Sequence, residues 1–117
     1  MKLNDLAREI HAWARGKGFY DREHIEVKSP YEGMGHCPQE VANPSLASEK
    51  VALVHEECSE LLRALREGDA QGEAEEAADI VIRVLDYCAW RGIDIEGQID
   101  AKMKKNLDRP HLHGHTF

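Results

Sequence analysis

The chain has 117 residues and a formal net charge of −7 at pH 7, with 22 acidic side chains against 15 basic ones. That length is most simply one domain, able to bury roughly two-thirds of its unfolded surface. The acidic balance argues against a nucleic-acid backbone binder, which would carry a basic stripe, but leaves open an anionic small substrate wherever metal ions invert the local charge.

In chain order, Met1-Lys2-Leu3-Asn4-Asp5 turns polar too soon for a signal-peptide core. Leu3, Leu6, Ala7, Ile10, Trp13 and Ala14 then recur at helical spacing, so a first helix is predicted over 3–17, closed by Gly16 and Gly18. From Phe19 to about Asn43 no helical period is sustained, and Pro30, Gly33, Gly35 and Pro38 interrupt any that starts. A loop this long inside a compact domain is usually functional or disordered, and a lid role is the favoured reading. Asn43-Pro44 reads as a cap followed by proline in the first turn of a second helix, which runs to about Glu67. Residues 68–72 form a turn, a third helix spans about 73–91 and stops at Gly92, and Asp94 caps a fourth over about 95–108, ended by Pro110. No strand and no internal repeat is expected.

The fold class is therefore all-α: a four-helix antiparallel bundle-like domain, with short turns between the last three helices. Its layout is a first helix at 1–18, a long loop at 19–43, a helical core at 44–108 and a tail at 109–117. No apolar run approaches the roughly 20 residues that span a bilayer. The cysteines Cys37, Cys58 and Cys88 are odd in number and lack C-x-x-C spacing, which points to a reduced, cytoplasmic setting without disulfides or a zinc knuckle.

Two acidic pairs stand out, Glu57-Cys-Ser-Glu60 and Glu76-Ala-Ala-Asp79. Residues three apart on a helix are neighbours, with Cβ atoms roughly 5–6 Å apart, so each pair presents two carboxylates to one point. On the second helix, Val51, Val54, Cys58, Leu61, Leu62 and Leu65 define the apolar arc; Glu57 falls inside it and Glu60 on its edge. A lone buried carboxylate costs several kcal/mol, so Glu57 needs a partner, a proton or a metal. The third helix is apolar around most of its circumference, which predicts burial on more than one side and a second subunit supplying part of the cover. Its narrow polar stripe holds Glu76, Asp79, Arg83 and Asp86, with Glu75 at one edge. On the fourth helix, Lys102 and Asn106 share a face with Ile95, Ile99 and Met103. Three helices thus place polar groups where core residues belong, and such breaks of pattern are favoured site candidates.

A solvated acidic face, or pairing of Glu76 or Asp79 with Arg83, would account for either acidic pair taken alone. Two pairs on consecutive helices, with Lys102 and Asn106 on another, are harder to explain that way. Trp13 and Trp90 lie near helix ends and either could stack on a base, although burial in a core is the commoner fate of tryptophan. His111, His113 and His115 alternate in the tail, at a spacing that gives no fixed zinc site. No G-x-x-x-x-G-K-[ST] loop exists, which excludes P-loop chemistry.

Glu-Glu-Cys-Ser-Glu-Leu at 56–61 and Glu-Glu-Ala-Ala-Asp-Ile-Val-Ile at 75–82 resemble the E-x-x-E … E-x-x-D signature of the MazG-like all-α nucleoside triphosphate pyrophosphohydrolases. The stretch from Lys102 through Asn106, Arg109 and Pro110 to His113-Gly114 is similar to the ending of many members. The resemblance covers about residues 45–117 and matches no motif before them. It implies a helical, dimeric or tetrameric hydrolase that cleaves a nucleoside triphosphate to the monophosphate and pyrophosphate with Mg²⁺, or Mn²⁺ as a substitute. Glu57, Glu60, Glu76 and Asp79 would be the metal ligands. Lys102, Asn106 and Arg109 would hold the triphosphate or sugar, with Trp90 grouped beside them as a substrate contact. Glu56 or Glu60 would take a proton from the attacking water, giving a catalytic set of Glu56, Glu57 and Glu60. The chemistry agrees, since Mg²⁺ takes oxygen ligands from a few carboxylates plus substrate phosphates, and acidifies water.

Two other classes compete. A carboxylate-bridged di-iron or di-manganese bundle would use Glu-x-x-His elements, which this chain lacks. A non-catalytic helical module, for oligomerisation or nucleotide sensing, explains the apolar third helix but not Glu57, Lys102 and Asn106 at core positions.

Overall fold

The computed structural model describes residues 2–27 and 39–109. Among the described residues, helices α1 (Leu3–Gly16), α2 (Leu46–Glu67), α3 (Ala70–Arg91) and α4 (Ile95–Leu107) are joined by short turns, except that two strands, β1 (His24–Val27) and β2 (Gln39–Ala42), lie between α1 and α2. The all-α expectation holds, and no described helix is long and apolar enough to cross a membrane.

The strands correct one expectation. β1 and β2 form an antiparallel ribbon with Ile25 opposite Val41 and His24 opposite Ala42. Each strand has four residues, too few for a clear period of two, and the pairing partner is remote in sequence. Local pattern therefore does not register it. The start of α2 is a second correction. The helix begins at Leu46 rather than Pro44, because the Asn43 side chain folds onto the turn instead of capping a helix there. Asn43 Oδ1 accepts from the Ser45 N–H (3.1 Å) and hydroxyl (2.9 Å), while its amide donates to the Arg22 carbonyl at 2.9 Å.

The turn before α3 is also shorter than expected. Gly68 adopts φ +70°, the left-handed conformation that glycine takes without a Cβ clash, and Asp69 at once caps α3 by accepting from the Gly72 N–H at 2.9 Å. This tight reversal folds α3 back along α2. α3 packs against both α1 and α2, which accounts for its apolarity on more than one side. Even so, Val81 and Ile82 on α3 remain exposed.

The core gathers Ala14, Tyr20 and Leu46, with Trp90 packed against them. Polar bonds tie this core together. The Tyr20 hydroxyl donates to Asp86 Oδ2 at 2.7 Å, and His11 Nδ1 meets Asp86 Oδ1 at 2.8 Å. Arg15 donates to His11 Nε2 at 2.9 Å, which leaves His11 Nδ1 as the donor to Asp86. Arg15 also grips both oxygens of Glu23, and the Trp90 indole donates to Glu23 at 2.9 Å. The Arg15 hydrogen bond, followed by that from Trp90, holds the Glu23 carboxyl down at about 2.

α4 departs most from the expected bundle. Asp94 caps it as predicted, accepting from the Gly97 N–H at 3.0 Å. Its first turn is clasped to the start of α1: the Asn4 N–H donates to Glu96 at 2.7 Å and the Asn4 side-chain amide to Asp94 at 2.8 Å. Beyond this clasp every residue from Gly97 to Arg109 is exposed. The Ile95, Ile99 and Met103 face therefore does not lie against a core within one chain. Ile99, Met103 (62% exposed) and Leu107 (83%) form an open apolar stripe.

Candidate metal and nucleotide site

The two acidic motifs meet where α2 and α3 pack. Glu57 is buried, at 7% exposure, as its place in the apolar arc of α2 requires. Carboxylate oxygens of Glu57, Glu76 and Asp79 lie within 4.8 Å of one another. Glu60, one helical turn beyond Glu57, lies close enough to shift the ionisation of Glu57 and Glu76, but the carboxylates grouped most tightly are those of Glu57, Glu76 and Asp79.

Arg83 supplies a positive charge at the cluster, its Nε donating to Glu57 Oε1 at 2.9 Å. This guanidinium holds Glu57 below the usual carboxylate range against the opposing effect of burial. Glu76 moves the other way, pushed up to about 7 because it shares a hydrogen bond with Glu57, with burial and Glu60 adding to the shift. Four neighbouring carboxylates cannot all ionise cheaply, and here one keeps a proton near neutral pH. The second oxygens of Glu57 and Glu76 are buried and, among the described residues, accept no hydrogen bond. Buried acceptors are normally satisfied, and a hard cation coordinated by oxygens would satisfy both. The donor set thus fits a divalent cation.

A groove of about 530 Å³ opens beside the cluster, lined by Leu6, Glu9, Ile10, Trp13 and Phe19 on one side and by Glu57, Asp79, Ile82 and Arg83 on the other. That volume suits a small-molecule ligand. Trp13 and Phe19 meet edge to face with centroids 5.5 Å apart, and both are about half exposed.

The remaining candidate residues lie elsewhere. Glu56 is exposed on the outer side of α2. Lys102 and Asn106 on the far part of α4, and Arg109 just past its end, are exposed and do not line the groove. Trp90 is not a groove residue: it packs on Tyr20, at 5.4 Å between ring centroids, and its N–H is engaged by Glu23. His36, Cys37, the central part of the expected lid, and the tail from Pro110 with its three histidines lie outside the described residues.

The Arg83–Glu57 pair is not anticipated by the sequence, whose spacing sets Arg83 only against the acids of its own helix. Nor is Glu9 anticipated, although Leu6, Glu9, Ile10 and Trp13 follow the i, i+3, i+4, i+7 spacing of one helix face. That spacing is the available signal.

Fold and site together define a class: an all-α protein with a carboxylate cluster suited to a divalent cation and an apolar groove beside it. A family model described as the MazG nucleotide pyrophosphohydrolase domain matches residues 47–113, which contain both acidic motifs and α4. The chain belongs to that family. No curated protein and no solved structure matches it.

Proposed function

We propose that this protein is a Mg²⁺-dependent nucleoside triphosphate pyrophosphohydrolase, with Mn²⁺ able to substitute, that clears nucleotides from the cytoplasmic pool. The observation that carries this reading is the buried Glu57 beside Glu76 and Asp79, with a buried oxygen of Glu57 and of Glu76 that no described donor reaches, inside a domain of a nucleotide pyrophosphohydrolase family. Glu57, Glu60, Glu76 and Asp79 would hold the cation. Bound there, it would offset the repulsion between the acidic site and a polyphosphate and would acidify water.

The chain's own residues would do the rest. Water attacks the α-phosphorus, the bond to the α,β-bridging oxygen breaks, and pyrophosphate departs with that oxygen. Glu60, half-buried on α2 and near enough to Glu57 to affect its ionisation, is better sited than the exposed Glu56 to take the water's proton. Arg83, at the junction of cluster and groove, would stabilise charge on the phosphates.

Lys102, Asn106 and Arg109 would reach a site only if α4 packs on a second copy. The open stripe of Ile99, Met103 and Leu107, together with exposed Val81 on α3, supports a homodimer or homotetramer in which one copy's α4 covers another's bundle. The non-catalytic alternative, a nucleotide sensor or oligomerisation module, is favoured only by the same exposed apolar surfaces. Incubation with a panel of ribo- and deoxyribonucleoside triphosphates and Mg²⁺ separates the two. Release of monophosphate and pyrophosphate supports the hydrolase. Tight binding of one nucleotide with no turnover of any supports the sensor.

A further inference from the structure

The groove beside the carboxylates has a chemistry of its own. Its α1 wall is apolar at Leu6, Ile10 and Trp13, continued by Phe19, and carries one ionisable side chain, Glu9. Among the described residues Glu9 makes no hydrogen bond or ion pair, whereas Glu57 is held by Arg83 and Glu23 by Arg15 and Trp90. Trp13 and Phe19 leave ring surface exposed beside it, at 54% and 47% exposure. Glu57 and Asp79 belong both to the cation cluster and to the groove lining, so a nucleotide with its phosphates at the cluster has its base directed along this wall.

An ionised carboxylate only accepts hydrogen bonds. Cytosine, adenine and guanine each present an exocyclic amine on the pairing edge, and guanine adds an adjacent ring N–H. Uracil and thymine offer one ring N–H flanked by two carbonyl oxygens, which a carboxylate would repel. We propose that the groove holds the substrate's base against Trp13 and Phe19, and that Glu9 selects bases carrying an exocyclic amine over uracil and thymine. This rests on the nucleotide reading of the adjacent carboxylate site, but assigns the base preference to a residue outside the cation cluster and outside the family-matched segment.

Binding is followed without turnover, by quenching of tryptophan fluorescence in Mg²⁺ with CMP, AMP, GMP, UMP and TMP, which carry no phosphoanhydride bond to cleave. Amine-bearing monophosphates should bind about tenfold tighter than UMP and TMP, the scale of one good carboxylate–base pairing. Glu9→Gln should bring that ratio close to one, because an amide both donates and accepts, and Trp13→Phe should remove the quench while Trp90 remains. The kcat/KM ratio of CTP to UTP should fall in parallel in Glu9→Gln. Equal affinities in the wild type, or an unchanged ratio in Glu9→Gln, would overturn the proposal. So would a groove filled by a second copy's helix, seen as a loss of assembled mass in Trp13→Ala with no quench by any monophosphate. Failure of the hydrolase reading looks different: base-selective quenching persists while no triphosphate is turned over. Turnover that depends on Glu57 without any base selectivity would instead sink this inference and leave the hydrolase standing.

Discussion

Arg83 on α3 donates its Nε–H to Glu57 Oε1 on α2 at 2.9 Å, placing a guanidinium beside the cluster of carboxylates that a divalent cation would share. In the metal-free protein this contact neutralises a carboxylate that the apolar arc of α2 would otherwise bury at a cost of several kcal/mol. The same pair joins the two helices that carry the acidic motifs.

Removing Arg83 should therefore destabilise the metal-free protein. Because the arginine side chain is 35% exposed, the loss for Arg83→Ala falls below that of a fully buried pair, about 1–2 kcal/mol. Denaturant titration in EDTA measures it. Added Mg²⁺ should recover more stability in Arg83→Ala than in the wild type, because the cation takes over the neutralisation of Glu57. Equal recovery in both would separate Arg83 from the cation site.

The cluster also sets a pH dependence. Glu76 has a folded pKa of about 7, above its ordinary value of 4.5, so between those values the folded state binds the extra proton. Its contribution to stability is fully present below pH 4.5 and is lost as pH rises through 7. Glu57 has the opposite sign: lowered by Arg83, it contributes above its ordinary value and loses that contribution as pH falls below it. The metal-free wild type should therefore lose stability between pH 4.5 and 7 relative to Glu76→Gln, while cation affinity rises over the same window. Thermal melts of both proteins across that range, with and without Mg²⁺, test the sign.

How much of this was legible in the chain depends on the distance over which each interaction works. Glu57 could be read because a helix repeats every 3.6 residues, and a carboxylate inside an apolar arc breaks that repeat visibly. The caps at Asp69 and Asp94 act over three residues, yet the sequence announces only Asp94, since Asp69 lies between Gly68 and Gly72 in a stretch that reads as turn. The ribbon of Ile25 and Val41 was not visible, because four-residue strands carry too little period and find their partners far along the chain. The amphipathic face of α4 was visible, but periodicity gives a face and not what covers it. Trp13 and Trp90 look alike as helix-end aromatics. Their different settings follow from Glu23 and Tyr20, which engage Trp90 and leave Trp13 on the groove.

The buried polar network should matter for stability more than for chemistry. Asp86 takes bonds from both His11 and Tyr20, linking α1 and the following turn to α3. Tyr20→Phe should cost about 1–2 kcal/mol, and Asp86→Ala more, because two buried donors then lose their acceptor. Urea unfolding gives both values, and a smaller loss in Asp86→Ala than in Tyr20→Phe would contradict the network as described.

A site shared between copies predicts complementation. Glu57→Gln and Lys102→Ala should each be inactive alone. When the two are mixed and allowed to exchange subunits, a mixed pair holds one site with both wild-type residues, so about a quarter of wild-type activity should return if α4 is contributed across a two-fold interface. No recovery, with exchange verified by mass, would return Lys102 to its own chain's site.

The central claim is cleavage at the α-phosphorus by the Glu57 cluster, and hydrolysis in ¹⁸O-labelled water tests it most directly. Wild-type protein with Mg²⁺ and a hydrolysed triphosphate should release labelled nucleoside monophosphate and unlabelled pyrophosphate. Glu57→Gln, with helicity intact by circular dichroism, should lose about 10²–10³-fold or more of that rate. Label in the pyrophosphate, release of orthophosphate, or turnover undiminished in Glu57→Gln would contradict the account.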